Sequence, residues 1–301
     1  MSDYIEIIDV SPRDGIQNER KILKTDIKLL LINRSLDAGI RRLEVTSFVN
    51  PKRVPQMVDA EAVAAGLSDQ ADARYIGLTL NRRGFDRAVA ARLHEASFVV
   101  VASDTFNRRN QGVATKDSIA AFADVRATAP DTIDVGVTIG AAFGCPFEGE
   151  VPLPRLMHVV EACMAANPFE LALADTIGVA TPRDIAERVG AIRAAFPNVA
   201  LRLHLHNTRN TGIANAWAGL EAGARSLDAS FGGVGGCPFA PRATGNIAIE
   251  DLVYMLDRAG VKTNISLEKA INTATWLEKQ LEKEVPGMVM KAGGFPTPVS
   301  A

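Results

Sequence analysis

Short runs of apolar and β-branched residues alternate along the whole chain with segments whose apolar residues recur at three- and four-residue spacing. The strand-like runs are "YIEIIDV", "RLEVTSF", "ARYIGLTL", "SFVVVAS", "DVGVTIGAAF", "ELALADT", "ALRLHLH" and "SLDASFGG". Between them lie helix-patterned stretches such as "DIKLLLINRSLDAG", "VDAEAVAAGLS", "SIAAFADVRATA", "PLPRLMHVVEACMAA" and "TPRDIAERVGAIRAAF". Eight strands, each followed by a helix, are the count of a closed α/β fold, the (β/α)8 TIM barrel. The runs are nearly continuously apolar, as expected of a parallel sheet covered by helices. A doubly wound open sheet is the rival, but it wants a glycine fingerprint after the first strand, and "DVSPRDGIQNE" has none. No Gly/Ser tract divides the chain. Residues 1–301 are therefore expected to form one catalytic barrel domain, with a helical C-terminal extension over about 264–301.

Composition narrows the class. The 301 residues are 47% apolar with a formal net charge of −2, which supports a sizeable core and argues against disorder or a nucleic-acid surface. Cys145, Cys163 and Cys237 are widely spaced, so no disulfide framework is expected and a reducing, cytoplasmic setting fits. The first strand-like run follows "MSD" at once, so no presequence is expected. No apolar stretch is long enough to span a membrane.

In such a barrel the chemistry gathers at the C-terminal ends of the strands. Polar residues fall there: Arg13 and Asp14 after the first strand, Glu44 and Thr46 in the second, Asp175 ending the sixth, His204 and His206 in the seventh. Residues two apart on a strand face the same way, so the two imidazoles point into one space, either as partly buried histidines satisfied by hydrogen bonds or as metal ligands. In a closed ring the eighth strand lies between the seventh and the first. Asp14 and Asn246, on the loops leaving the first and eighth strands, can therefore converge with the histidines on one ion. Two imidazoles, one carboxylate and one amide oxygen suit Mg2+ or Mn2+ better than structural Zn2+. Asp14 could also be a turn residue before Gly15, and Asn246 an N-cap of the helix "IAIEDLVYML", although no acid three residues on completes a capping box. Arg13 reads either as a structural partner of Asp14 or as a fixed cation for an oxyanion. Glu44 and Asp175 read equally as ordinary carboxylates of the barrel core.

The stretch "GGVGGCPFAPRATGN", residues 232–246, lacks the G-K-[ST] ending of a phosphate cradle, and Pro238 stands where a dinucleotide fingerprint needs its last glycine. A tight connection between strand eight and its helix excludes a linker. What remains is a mobile lid with Cys237 at its centre, its hinge permitted by the glycines.

The motifs "SPRDGIQNE", "LEVTSFVNPKRVPQM", "GCPFEG", "ADTIGVATP", "HLHNT" and "GGVGGCPFAPRATGNIAIEDLVYML", spread from about residue 5 to 257, resemble the 3-hydroxy-3-methylglutaryl-CoA lyases, among the TIM-barrel metal-dependent lyases and Claisen-type synthases. The resemblance implies one divalent cation, Mg2+ or Mn2+, at Asp14, His204, His206 and Asn246, and no organic cofactor. It makes Arg13 the catalytic arginine, Cys237 a proton-transfer group of the lid, and Glu44, Asp175 and Glu250 acidic groups of the site. The implied reaction is a retro-Claisen cleavage of a 3-hydroxyacyl-CoA to acetyl-CoA and a 3-keto acid. Asp14, Asp175 and Cys237 are candidate bases for the substrate hydroxyl, Arg13 serves the enolate, and Glu44 orients the hydroxyl or its neighbours.

The partner is then an acyl-CoA, with Gln17, Thr46, Lys52, Arg108, Arg109, Arg209 and Arg242 expected at substrate or CoA, and Arg53 beside Lys52 offering a further cation. A homodimer is suggested by the family. Cys145 and Cys163 read as structural. The chain departs from the family pattern after the H-x-H pair, where Asn207-Thr208-Arg209-Asn210-Thr211 replaces D-T-Y-G-Q, and in the lid at Arg242. Phe231 and Ala172 could also reshape the pocket. These changes leave the acyl tail open: a larger 3-alkyl homologue or citramalyl-CoA is the nearest alternative, and an aldolase of 4-hydroxy-2-keto acids or a Claisen synthase a further one.

Overall fold

Within each strand the side chains alternate between two faces, and here the two faces differ sharply in chemistry. The computed structural model describes residues 3–236 and 245–296. Its strands are β1 (Glu6–Asp9), β2 (Arg42–Ser47), β3 (Arg74–Thr79), β4 (Glu95–Val101), β5 (Asp134–Gly140), β6 (Leu171–Asp175), β7 (Leu201–Leu205) and β8 (Ser226–Ala229). All pair in parallel in chain order, and β8 closes on β1 through Glu6–Ser226 to Asp9–Ala229 register. This is the expected (β/α)8 barrel.

The helices are α1 (Thr25–Ala38), α2 (Ala60–Ala65), α3 (Arg82–Ala90), α4 (Asp104–Gln111), α5 (Thr115–Thr128), α6 (Leu153–Met164), α7 (Pro182–Ala195), α8 (Gly212–Ala222), α9 (Ile249–Arg258), α10 (Leu267–Leu281) and α11 (Val289–Ala292). Two of them, α4 and α5, follow β4. Outward strand residues such as Leu43, Val45, Phe98, Leu171, Leu173, Leu201, Leu203 and Leu205 join helix residues including Leu31, Phe122, Leu156 and Ile185 in the main apolar core. Each such buried aliphatic or aromatic side chain contributes roughly 1.5–3 kcal/mol of transfer free energy. Towards the C-terminus, α10 packs against α1 and α9, and α11 against α9 and α10.

The inward face corrects the reading of the strands as nearly apolar throughout. A small cluster of Ile8, Val10 and Ile76 is separate from the main core, and the layer nearest the strand starts is ionic. Arg42 of β2 reaches across the barrel to Glu95 of β4 at 2.6 Å and to Glu170, just before β6, at 2.8 Å. Arg74 joins Glu95 at 2.7 Å, and the ring of Phe169 lies 5.7 Å from both guanidinium groups. Single charged residues inside an apolar run hardly disturb its periodicity, yet here they share one side and find each other.

Helix α1 ends at Gly39 in the left-handed region, φ 109°, where its N–H bonds to the Leu36 carbonyl. A Cβ at this position would come within 2.3 Å of the Asn264 carbonyl oxygen. Gly39→Ala therefore incurs backbone strain of about 1–2 kcal/mol in addition to that collision. Thermal unfolding should show a Tm lowered by several degrees, with turnover per folded molecule unchanged; an unaltered Tm would contradict the strain.

Candidate active site

The β1 strand leads directly into a wide helical turn, Ser11–Gly15, that is buried throughout and turns Arg13 and Asp14 over the strand ends. Arg13 donates through Nε and Nη2 to the two carboxylate oxygens of Glu44, both at 3.0 Å, and through Nη1 to Asp14 Oδ1 at 2.6 Å. This two-pronged geometry is the one a planar guanidinium favours. Burial opposes charge on Arg13, but Glu44 and Asp14 outweigh it and raise its pKa further. Burial likewise opposes ionisation of Asp14, yet Arg13 and the two histidines hold its carboxyl well below the usual range.

The turn carrying Asp14 is met by β7. Arg202, His204 and the residue just past the strand, His206, occupy alternate positions and face inward, with His204 Nε2 and His206 Nε2 3.1 Å apart. Ligand atoms of Asp14, His204 and His206 all lie within 4.8 Å of one another. Asn246 arrives from the far side of the glycine loop: its backbone forms an isolated bridge with His206, and its Nδ2 donates to Asp14 Oδ2 at 2.8 Å. Asn246 is not the N-cap of α9, a place taken by Ala248; its neighbour Ile247 is tied to β7 and β8 through Leu205 and Ser230.

These residues fit a divalent cation. The Asn246 Oδ1 atom is buried and without a hydrogen-bond partner among the described residues, an oxygen donor left available beside the Asp-His-His cluster. The two facing Nε2 atoms also fit, because paired lone pairs repel unless a proton or an ion stands between them. His204 Nδ1 lies 2.9 Å from Asp228 Oδ2, which assigns the proton to Nδ1 and turns the Nε2 lone pair into the cluster. Burial disfavours a charged His204, but the Asp228 hydrogen bond and Asp14 more than offset it, so its pKa is raised.

A cavity of about 740 Å3 opens above this floor, within the range of ligand pockets. Its wall includes Arg13, Asp14, Gln17, Glu44, His204 and His206, and towards the mouth Arg53, Phe106, Arg109 and Asn110. Arg109 lies over the Phe147 ring at 4.1 Å, and Arg53 donates to the Asn110 carbonyl. Asn18 donates to Gly236 at the near end of the glycine loop. Cys237 and Arg242 lie outside the described residues.

Several expected site residues lie elsewhere. The Thr46 hydroxyl is 3.8 Å from Met57 Sδ rather than on the cavity wall, because the register of β2 shifts between Glu44 and Thr46. Lys52 is exposed and off the wall; Arg108, also exposed, pairs with Asp104 along α4. Arg209 donates to the carbonyls of Ile177 and Gly178, bracing the loop after β6. Asp175 faces the same loop, accepting from the N–H groups of Val179 and Ala180. Strand parity explains it: Ala174 meets the cavity, so Asp175 cannot.

Glu250 sits beneath the glycine loop, where it accepts from the Gly232 N–H and approaches Gly287. Reading the sequence missed Arg202 and Asp228, both on the cavity wall. Their signal was available in "LRLHLH" and "SLDAS", where charges fall in phase with His204: Arg202 two residues before it, and Asp228 in register with it.

A closed parallel barrel with a buried Asp-His-His-Asn cluster at the C-terminal mouth defines a (β/α)8-barrel enzyme suited to a divalent cation. Residues 4–276 match the family model described as HMGL-like, and the chain belongs to that family. The chain is 43% identical to (R)-citramalyl-CoA lyase of Chloroflexus aurantiacus, over 97% of this chain and 95% of that protein. It is 38% identical to hydroxymethylglutaryl-CoA lyase YngG of Bacillus subtilis, over 94% and 95%. An HMG-CoA lyase structure from Acenitobacter baumannii, in complex with coenzyme A and 3-methylmalate, superposes with a TM-score of 0.94 at 38% identity, covering 99% of this chain and all of that one. The protein is therefore a lyase of this family. Among the described residues no helix is long and apolar enough to cross a membrane.

Burial raises the Glu250 pKa to about 8, against the hydrogen bond from Gly232. A carboxyl raised in the fold contributes stability that is fully present below its unfolded value near 4.5 and is lost as pH rises through about 8. Glu250→Gln removes this dependence. Between pH 5 and 9 its Tm should fall less steeply than the parent's, and it should be the more stable protein at the alkaline end. Parallel Tm profiles would show that Glu250 ionises freely in the fold.

Proposed function

We propose that the chain cleaves the C2–C3 bond of a 3-hydroxy-3-methylacyl-CoA with a terminal carboxylate, 3-hydroxy-3-methylglutaryl-CoA first, to acetyl-CoA and a keto acid. The observation that carries this reading is the cavity floor, where a guanidinium clamped by Glu44 and Asp14 stands beside a buried Asp-His-His cluster and an amide oxygen without a partner among the described residues. A cation held by Asp14, His204, His206 and Asn246, Mg2+ or Mn2+, supplies Lewis acidity toward a hydroxyl oxygen, which is otherwise far too weak an acid for any side-chain base.

In the cleavage, the hydroxyl proton leaves, C3 becomes a ketone carbon, and the C2–C3 electron pair passes into the thioester as an enolate. Asp175 is spent on its own loop and does not line the cavity, so Asp14 and Cys237 remain to take the proton. Arg13 is fixed before substrate arrives, and its charge stabilises the developing enolate without reorganisation. Glu44 keeps the guanidinium in that pose. The enolate carbon then takes a proton from Cys237, giving acetyl-CoA. Arg53 and Arg109, both at the mouth, would meet the CoA phosphates. A cytoplasmic setting and a homodimer, expected from the cysteines and the family, form part of the proposal.

The departures Asn207 and Arg209 leave the cavity untouched. Asn207 accepts from the Gly212 N–H at the start of α8, and Arg209 braces a loop. The proposal therefore keeps the six-carbon diacid ester as substrate. The 43% identity to (R)-citramalyl-CoA lyase favours citramalyl-CoA as a second reading, in which the same bond cleavage gives pyruvate.

A substrate panel tests both. Purified enzyme with Mn2+ or Mg2+ and a thiol should release acetyl-CoA from the methylglutaryl ester; release from citramalyl-CoA alone would establish the second reading. Cleavage confined to free 4-hydroxy-2-keto acids would defeat both. Arg13→Gln should lower kcat at least about 100-fold while Mn2+ still binds, and near-normal turnover would remove the enolate role. Cys237→Ser should bind Mn2+ normally and cleave far more slowly.

A further inference from the structure

Of two charged residues on the cavity floor, Arg202 has no part in the chemistry above, and Asp228 enters it only through its bond to His204. Both are almost wholly buried, at 3% and 2% exposure, yet they form part of the wall beneath the metal cluster. Arg202 Nε donates to Asp228 Oδ1 at 2.5 Å, and its Nη2 to Oδ2 at 2.8 Å. The same Oδ2 faces His204 Nδ1 at 2.9 Å. On its other side Arg202 Nη2 stands 3.5 Å from Glu44 Oε2, the oxygen that also accepts from Arg13 Nη2. The path therefore runs from Asp14 through Arg13, Glu44, Arg202 and Asp228, alternating in sign, and ends on the imidazole of His204. From there it returns to Asp14, whose Oδ2 is 3.8 Å from His204 Nε2.

An ordinary structural ion pair would not need a shared atom on each flank. Here one carboxylate must satisfy both a guanidinium and an imidazole, which confines the imidazole's rotation and its tautomer together. Arg202 cannot swing to a ligand without abandoning three carboxylates, since its Nη1 also lies 3.6 Å from Glu170 Oε2.

We propose that Asp228 is a positioning residue for His204, and that Arg202 locks it in place and couples the cation-binding half of the floor to the Arg13–Glu44 half. The inference rests on the cation site of the proposed function, but not on which acyl-CoA is cleaved. Its consequence is that Asp228 sets the affinity for the cation even though it is not a ligand. Loss of a carboxylate behind a metal-bound histidine typically weakens binding 10- to 100-fold.

The test is Mn2+ binding, measured by electron paramagnetic resonance without substrate, alongside thermal unfolding. Two variants are compared with the parent: Asp228→Asn, and the double variant Arg202→Met with Asp228→Leu. The single change leaves a buried guanidinium short of its main partner and should lower Tm; the double change removes both charges and should recover much of that loss. Mn2+ affinity should fall 10- to 100-fold in both variants, including the one whose Tm recovers. Unchanged affinity in Asp228→Asn, or affinity that returns together with Tm in the double variant, would overturn the positioning role in favour of a purely structural one. Failure of both variants to fold would overturn it too, by showing that the pair serves the fold. Absence of Mn2+ binding by the parent would instead overturn the cation site itself, and this inference with it.

Discussion

A charge buried inside a barrel has little water to turn to, so each of the inward guanidinium groups is neutralised by carboxylates, most of them from other strands. Arg42, Arg202 and Arg13 stand at successive heights, and each is met by acids: Glu95 and Glu170, then Asp228, then Glu44 and Asp14. Breaking any one pair strands a buried charge at a cost of about 3–5 kcal/mol. Strand register, barrel closure and the pose of the reacting groups are consequently one problem. A slip of one residue in β2 or β7 would send Arg42, Glu44, Arg202 and His204 out among the helices.

The architecture was legible in the sequence because it depends on periodicity, which survives a few charged exceptions. Strand and helix order and the ring closure that brings β8 between β7 and β1 were readable, and closure pointed to Asp14, His204, His206 and Asn246 as neighbours. The composition of the barrel interior was not readable. Arg42, Glu95, Arg202 and Asp228 lie on four different strands and Glu170 just before a fifth, and nothing local shows that Arg42 on β2 meets Glu170 beside β6.

Parity along the strands separates the residues that reach the cavity from those that do not. His204 and His206 keep the phase of Arg202, whereas Asp175 is one residue out of phase with Ala174 and turns to its own loop. Thr46 is lost for a different reason, the register shift within β2. Proximity to a strand end in sequence is thus too coarse a guide. Glu250 shows the same limit at longer range: it lies four residues beyond Asn246, yet the turn into α9 carries it behind the loop to Gly232 and Gly287.

The ionic layer has a further effect on traffic through the molecule. Below Arg202 the free space shrinks to about 10 Å3, room for roughly one water, and the Phe169 ring lies against Arg42 and Arg74 underneath. Among the described residues the barrel is a well narrowed from below by this ionic layer. A molecule seated on that floor would leave by the end through which it came, and while it stayed there it would bar the next arrival.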